Sequence, residues 1–312
     1  MTETRKPADG GTLLLTGAAS FTGSHIARAC RDAGVRVIGV LTRGFDEYAT
    51  PLLRRRIAHA RVDDWIERAP FGSQRLVDAI REARPDVFVH HGADLKGYRD
   101  PEFDVEACVR TNCANARQVF DALSVGGCRR FMYSGTFFEP DGPRPAVSAY
   151  GVAKARIWEE YRKAAAGVGL ATTKIFIPNP IGPLENEGRL FPSFVQTWKS
   201  GGKPTLRTPH LVRDNLPAPW LAERYAEEAS RSAAPDDRYV RPSGYVMSNL
   251  ELVNLFLGWV ARVAQREYEV VVEPVETAEP IVRHNTEPCR QLTDPKAESA
   301  FWASWIDSLE IQ

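Results

Sequence analysis

The segment Tyr150-Gly151-Val152-Ala153-Lys154 sets a phenol and an amine four residues apart. On a helix such a pair lies one above the other on the same face. The flanking sequence predicts that helix. Ser148 stands as an N-cap, Ile157, Trp158, Tyr161, Ala164 and Ala165 recur at helical spacing, and Gly167 and Gly169 end the run. A free tyrosine titrates near ~10 and is a poor proton relay at neutral pH. A cation beside it favours the phenolate. Lowering its pKa by ~3 units requires about 4 kcal/mol of preferential stabilisation. A lysine, helped by the charge of a bound cofactor, could supply that in a dry site. Taken by itself the pentapeptide favours an exposed aromatic–lysine pair, and the elements around it change that balance.

The first such element is a strand, turn and helix. Thr12–Thr16 reads as a buried strand, Gly17-Ala18-Ala19-Ser20-Phe21-Thr22-Gly23 as a glycine turn, and a helix is expected from about Ser24. This order suits a dinucleotide: backbone N–H groups at a helix start face the pyrophosphate, and small residues let it approach. Ser20 stands where a middle glycine is commoner. The next strand, Val35–Leu41, ends in Thr42-Arg43. An acid there would bind the ribose hydroxyl of NAD, whereas Arg43 suits the 2′-phosphate of NADP. Strand-like runs at 12–16, 35–41, 57–62, 86–90, 129–134 and 171–177 alternate with helical runs. That alternation predicts an α/β fold with a doubly wound parallel sheet of the Rossmann type.

Composition narrows the classes. Lys+Arg and Asp+Glu both number 40, so the 312-residue chain has no net charge to attract nucleic acid or an acidic membrane. No apolar run approaches the ~20 residues of a membrane span, and Met1–Gly11 lacks the apolar core of a secretory signal. Cys30, Cys108, Cys113, Cys128 and Cys289 form no Cys-x-x-Cys pair. They read as reduced, mostly buried thiols of a cytoplasmic protein. No carboxylate or cysteine cluster calls for a metal. After Ile177 prolines recur at 178, 180, 183, 192, 204, 209, 217 and 219. Residues 1–177 are therefore expected to form the nucleotide-binding domain, and 178–312 mainly a smaller lobe interleaved with it. In that lobe Ser248 and Glu251 form a capping box, Leu252, Leu255, Phe256, Trp259 and Val263 continue a buried face, and Trp302 and Trp305 are expected to pack inward.

In this order the motifs resemble the extended short-chain dehydrogenase/reductase family, its nucleotide-sugar epimerase/dehydratase group, from about Thr12 to Leu252. The resemblance implies a nicotinamide cofactor held by Gly17, Ser20, Phe21, Thr22 and Gly23, with Arg43 favouring NADP(H) over NAD. Asp63, after a strand Ala58–Val62, falls on the acid that contacts adenine. Gly92, Ala93 and Pro178 fall among residues that pass close to the cofactor, and Asn112 on the asparagine of the next helix. Thr136, Tyr150 and Lys154 fall on the catalytic triad. Thr136 would hydrogen-bond the substrate oxygen, Tyr150 exchange the proton, and Lys154 hold the nicotinamide ribose. Asn179 and Arg213 fall on substrate positions, the arginine on a diphosphate. His90 and His91, beside the fourth strand's end, are assigned structural or cofactor-packing roles.

Departures from the family pattern bear on the reaction. Dehydratases of the family carry Asp-Glu directly after the catalytic threonine; here Phe137 and Phe138 follow, and Glu139 comes one place late. The two rings read as an apolar wall beside a deoxygenated sugar. The expectation is an NADPH-dependent ketoreductase of a nucleotide-linked 4-keto-6-deoxy sugar, acting as a homodimer. The alternatives are a 4-epimerase with a tightly held cofactor, a reductase of a non-sugar ketone, and a cofactor-sensing protein without catalysis.

Overall fold

The structure is a computed structural model and describes residues 11–98, 100, 102–232, 237–277 and 279–311. The chain divides into two compact units. One holds the chain up to Phe176 together with Ala222–Val240; the other holds Ile177–Leu221 and Arg241 onward.

In the first unit, apolar runs become strands covered on both faces. β1 (Thr12–Thr16), β2 (Arg36–Val40), β3 (Asp64–Ile66), β4 (Val87–His90), β5 (Arg130–Thr136) and β6 (Ala171–Ile177) alternate with helices. The helices are α1 (Phe21–Asp32), α2 (Pro51–Ala60), α3 (Gln74–Ala83), α4 (Val105–Asn112), α5 (Ala116–Val125) and α6 (Ala149–Gly167). Leu13, Leu14, Leu15, Phe88, Val89, Phe131 and Met132 are fully buried, the continuous pattern of a doubly covered parallel sheet. The order is β6-β5-β4-β1-β2-β3, with the strand Arg238–Val240 beyond β6. β1 pairs in parallel with β2 on one side and β4 on the other. The chain thus winds outward from β1 to β3, then returns beside β1. The carboxyl ends of β1 and β4 form the switch point where ligands of such sheets bind. Aromatic rings line the interior below it: Phe131, Tyr133, Trp158 and Tyr161 belong to one buried cluster.

The expected strand at 57–62 is a correction. Thr50 accepts Leu53 N–H as N-cap and Pro51 opens α2, which runs through Ala60. The third strand is Asp64–Ile66, paired in parallel with β2 with Trp65 opposite Gly39. A Cβ on Gly39 would stand 2.5 Å from the indole.

In the second unit the strand Val212–Pro217 is central. It pairs antiparallel with Tyr245–Ser248 and in parallel with Val282–Arg283 and Asn179–Ile181. The Ser248–Glu251 capping box opens the helix Asn249–Ala264. Phe256 on that helix, Phe191, and Trp302 and Trp305 of the helix Pro295–Ser308 are buried together, the two indoles stacked with centroids 5.4 Å apart.

Candidate active site at the carboxyl edge of the sheet

The glycine turn stands at the switch point. Gly17 has φ +72°, and a Cβ there would stand 2.9 Å from Gly92 N. A Cβ on Gly23 would stand 2.0 Å from Gly17 O. Both positions therefore require glycine. The helix begins at Phe21, earlier than expected, because Ser20 is its N-cap: the hydroxyl accepts Gly23 N–H at 3.1 Å. Phe21, Thr22 and Gly23 thus form the first turn of a 12-residue helix whose N-terminus opens at the strand ends. A turn closed against side chains and a helix start beside it fit a pyrophosphate.

Hydroxyls and two histidines fasten the edge. Thr16 Oγ1 accepts both His91 N–H and Gly92 N–H at 3.1 Å and bonds His90 Nδ1 at 2.8 Å. His91 bonds Thr22 Oγ1 through Nε2 and Ser134 Oγ through Nδ1, each at 2.7 Å. Burial, with the Lys154 charge adding to it, pushes His91 down to about 3. With both nitrogens engaged and the ring neutral, His91 is a structural link. Asn112 pins the following loop: its amide receives Asp94 N–H and donates to Asp94 O, both at 2.8 Å. Ala93 lies exposed between these anchors, next to half-buried Gly92.

At the end of β2, Arg43 is exposed, with its guanidinium 5.0 Å from the centre of the Tyr48 ring. Nearby Arg68 is paired with Asp46 and Glu47 at 3.1 Å, whereas Arg43 has no carboxylate partner among the described residues. Asp63 is a second correction. It precedes β3, toward the amino edge of the sheet, where it accepts Val37 N–H at 2.8 Å and pairs with Arg31 at 2.7 Å. It ties the residue before β3 to the start of β2, at the opposite end of these strands from their carboxyl edge. The acid at the carboxyl end of β3 is Glu67, bonded to Phe45 N–H at 2.6 Å.

The three proposed reacting groups come from the end of β5 and the first turns of α6. Thr136 ends β5, buried, and its Oγ1 accepts Phe138 N–H at 3.3 Å. Ser148 is the N-cap residue of α6 without a side-chain cap bond. Tyr98 stands beside Tyr150, ring centroids 5.2 Å apart. Lys154 is buried one turn along, its ammonium 4.3 Å from the centre of the Tyr133 ring. Burial pushes Lys154 down to about 8, with Glu139 opposing the shift and Lys174 adding to it. The expected phenolate calls on the charge of a bound cofactor as well as Lys154; in the protein alone the shift runs the other way. Desolvation raises Tyr150 above its ordinary value, the Glu139 carboxylate adds to this, and the Thr136 side chain opposes it. Lys154 faces the Tyr133 ring and is not among the groups that shift Tyr150. Phe137 and Phe138 stack with centroids 4.5 Å apart, the first buried and the second half-buried.

The remaining expected residues lie in the second unit. Pro178 is buried beside the strand Asn179–Ile181. Asn179 donates to Asn215 Oδ1 and accepts from Arg189, both at 2.6 Å, so both ends of its amide are engaged. Arg213 is buried and paired with Glu279 at 2.7 Å. It also donates to Val212 O, Pro280 O and Ile281 O. In this arrangement it fastens the lobe. Asp214, its neighbour, accepts Gly244 N–H at 2.7 Å and Asn285 N–H at 2.9 Å.

Sequence reasoning missed Thr16, Lys174 and the structural role of Glu139. A lysine within the buried run Thr172–Phe176 was the available signal for Lys174.

A glycine turn at the switch point and a Thr–Tyr–Lys set beside it define a nicotinamide-dependent enzyme of the extended short-chain dehydrogenase/reductase type. The model of the NAD dependent epimerase/dehydratase family matches residues 13–214, and the chain belongs to that family. No curated protein matches the chain. Among solved structures it resembles the UDP-glucose 4-epimerase of Thermotoga maritima, at TM-score 0.69 and 16% identity over 95% of this chain and 98% of that one. The dTDP-glucose 4,6-dehydratase DesIV of Streptomyces venezuelae gives 0.70 and 18% over 95% and 96%. The NAD+ complex of WbmH from Bordetella bronchiseptica gives 0.66 and 23% over 96% and 97%. These likenesses fix the fold. No helix among the described residues is long and apolar enough to cross a membrane.

Proposed function

We propose that this enzyme is an NADPH-dependent ketoreductase of a nucleotide-linked keto sugar, of the 6-deoxy class, working as a homodimer. The observation that carries the choice of reduction is Arg43, exposed at the end of β2 without a carboxylate partner among the described residues, where it suits the 2′-phosphate of a consumed NADPH. Reduction of a ketone needs an acid at the forming alkoxide, and a phenol in its protonated form is that acid. Dehydration is disfavoured because Phe137 and Phe138 occupy the two places after Thr136, and Glu139 is engaged by Lys174 and by Thr136 N–H.

The residues divide the work. Gly17, Gly23 and the start of α1 would receive the pyrophosphate, and Arg43, without a carboxylate partner among the described residues, would receive a 2′-phosphate. The nicotinamide, when bound, supplies the hydride. Thr136 hydrogen-bonds the substrate oxygen, Tyr150 donates its proton there, and Lys154 would hold the nicotinamide ribose. The stacked Phe137 and Phe138 offer an apolar face to the unsubstituted side of a deoxy sugar. Arg213 no longer supports a diphosphate subsite, so the nucleotide part of the proposal rests on the family match. The second reading, a 4-epimerase that keeps its cofactor and returns the hydride, rests on the same match.

Tyr150→Phe tests the assignment. Folding and NADPH binding should survive, and turnover of a nucleoside-diphosphate 4-keto-6-deoxyhexose should fall by ~100-fold or more, the scale for losing a positioned general acid. An active variant would assign the proton to another donor.

A further inference from the structure

Lys174 lies in the middle of β6, where residues 172–176 are buried. Glu139 meets it: the two side chains form an ion pair and are only 4% and 1% exposed. The other Glu139 oxygen accepts Thr136 N–H at 2.8 Å. One acid therefore joins the end of β5 to the lysine of the next strand. Two glycines keep its place open. A Cβ on Gly135 would stand 2.7 Å from Glu139 Oε1, and one on Gly151 would stand 2.2 Å from Phe138 O. The glycine that follows Tyr150 thus accommodates the backbone leading into Glu139. A buried ion pair is a poor source of stability, since apolar side chains of similar volume often do as well. Its position directly behind Thr136 calls for another reason.

We propose that Glu139 and Lys174 are positioning residues of this site: the pair holds Thr136 from behind and its two charges set the field at Lys154. The inference rests on Thr136, Tyr150 and Lys154 being the reacting groups. Lys154 is faced by the Tyr133 ring and Glu139 from β5 and its turn, by Lys174 from β6, by Cys108 from α4, and by His90 and His91 from the end of β4. Tyr150 is faced by Glu139, Tyr98 and the Thr136 hydroxyl. Glu139 raises the proton affinity of Lys154 and Lys174 lowers it.

The test is a lysine side-chain NMR titration, with Lys154→Arg identifying the resonance. Glu139→Gln should move the Lys154 midpoint to lower pH, and Lys174→Met should move it to higher pH. Shifts in one common direction, or none, overturn the proposal. Each single variant strands a buried charge and is at risk of not folding, so two neutral pairs are measured beside them. Glu139→Gln/Lys174→Met keeps a carbonyl to accept Thr136 N–H; Glu139→Leu/Lys174→Met does not. The second should show a kcat roughly tenfold or more below the first, the scale of a small misplacement, with an unchanged KM for NADPH. Equal kcat values overturn the hold on Thr136. Opposite midpoint shifts in a protein whose Tyr150→Phe variant keeps full turnover would support the pair's action on Lys154 and remove Tyr150 as the donor.

Discussion

Replacing Arg213 with leucine separates two roles for this guanidinium. In the structure one nitrogen serves the carbonyls of Val212, Pro280 and Ile281 at 2.9, 3.0 and 3.2 Å, and another meets Glu279 at 2.7 Å. A single nitrogen carries two protons, so the carbonyls amount to about two hydrogen bonds from a charged donor, together about 3 kcal/mol. Glu279 is 51% exposed, and its pairing adds ~1 kcal/mol at most. A buried leucine would return about 1–2 kcal/mol through its apolar surface. The net expectation is a loss of about 2 kcal/mol. Urea unfolding measures it: the midpoint should fall with an unchanged slope. KM for a nucleotide-linked substrate should change little in protein that remains folded. An unaltered midpoint together with a steeply raised KM would refute the fastening role and restore Arg213 as a diphosphate ligand.

Other substitutions probe the cofactor side and the charges. Arg43→Ala should weaken NADPH by ~10-fold or more while leaving NADH nearly unaffected, the scale of a lost charge-assisted hydrogen bond; equal losses in titrations of both would remove the 2′-phosphate assignment. Gly23→Ala should abolish cofactor binding, because its Cβ would meet Gly17 O at 2.0 Å; unchanged affinity by calorimetry would contradict that. Ser20→Gly should keep binding, since glycine is also a good N-cap. Lys154→Met should stabilise the protein at pH 7. Lys154 is lowered from 10.5 to about 8, mainly by burial, so below about pH 8 the native state carries a desolvated charge, a penalty of roughly 3 kcal/mol. Between about 8 and 10.5 the unfolded chain binds more protons, the native parent gains stability, and the variant's advantage shrinks. A variant less stable than its parent at pH 7 would contradict this sign.

Features set by local spacing were legible in the sequence. Gly17, Ser20 and Gly23 follow a strand and precede a helix, so the turn could be placed before any contact was known. Tyr150 and Lys154 share a helix face for the same reason. What escaped depends on distant partners. Ile57 to Val62 alternates enough to imitate a strand, yet Thr50 and Pro51 start a helix that runs to Ala60, and the strand that pairs with β2 begins only at Asp64. Asp63 was misplaced with that strand. Arg213 was read as a substrate ligand because Glu279, which engages it, lies 66 residues on. Glu139 was weighed only as a displaced dehydration acid, since its partner Lys174 sits 35 residues away.

The most direct measurement of reduction is the cofactor stoichiometry. Purified enzyme stripped of nucleotide is mixed with NADPH and a nucleoside-diphosphate 4-keto-6-deoxyhexose, and absorbance at the reduced-nicotinamide band is followed beside product formation. One NADPH consumed for each alcohol formed, abolished in Tyr150→Phe, is the expected result. Turnover of a sugar nucleotide at a fixed, tightly held cofactor with no net loss of NADPH would contradict the reductase and leave the epimerase in its place.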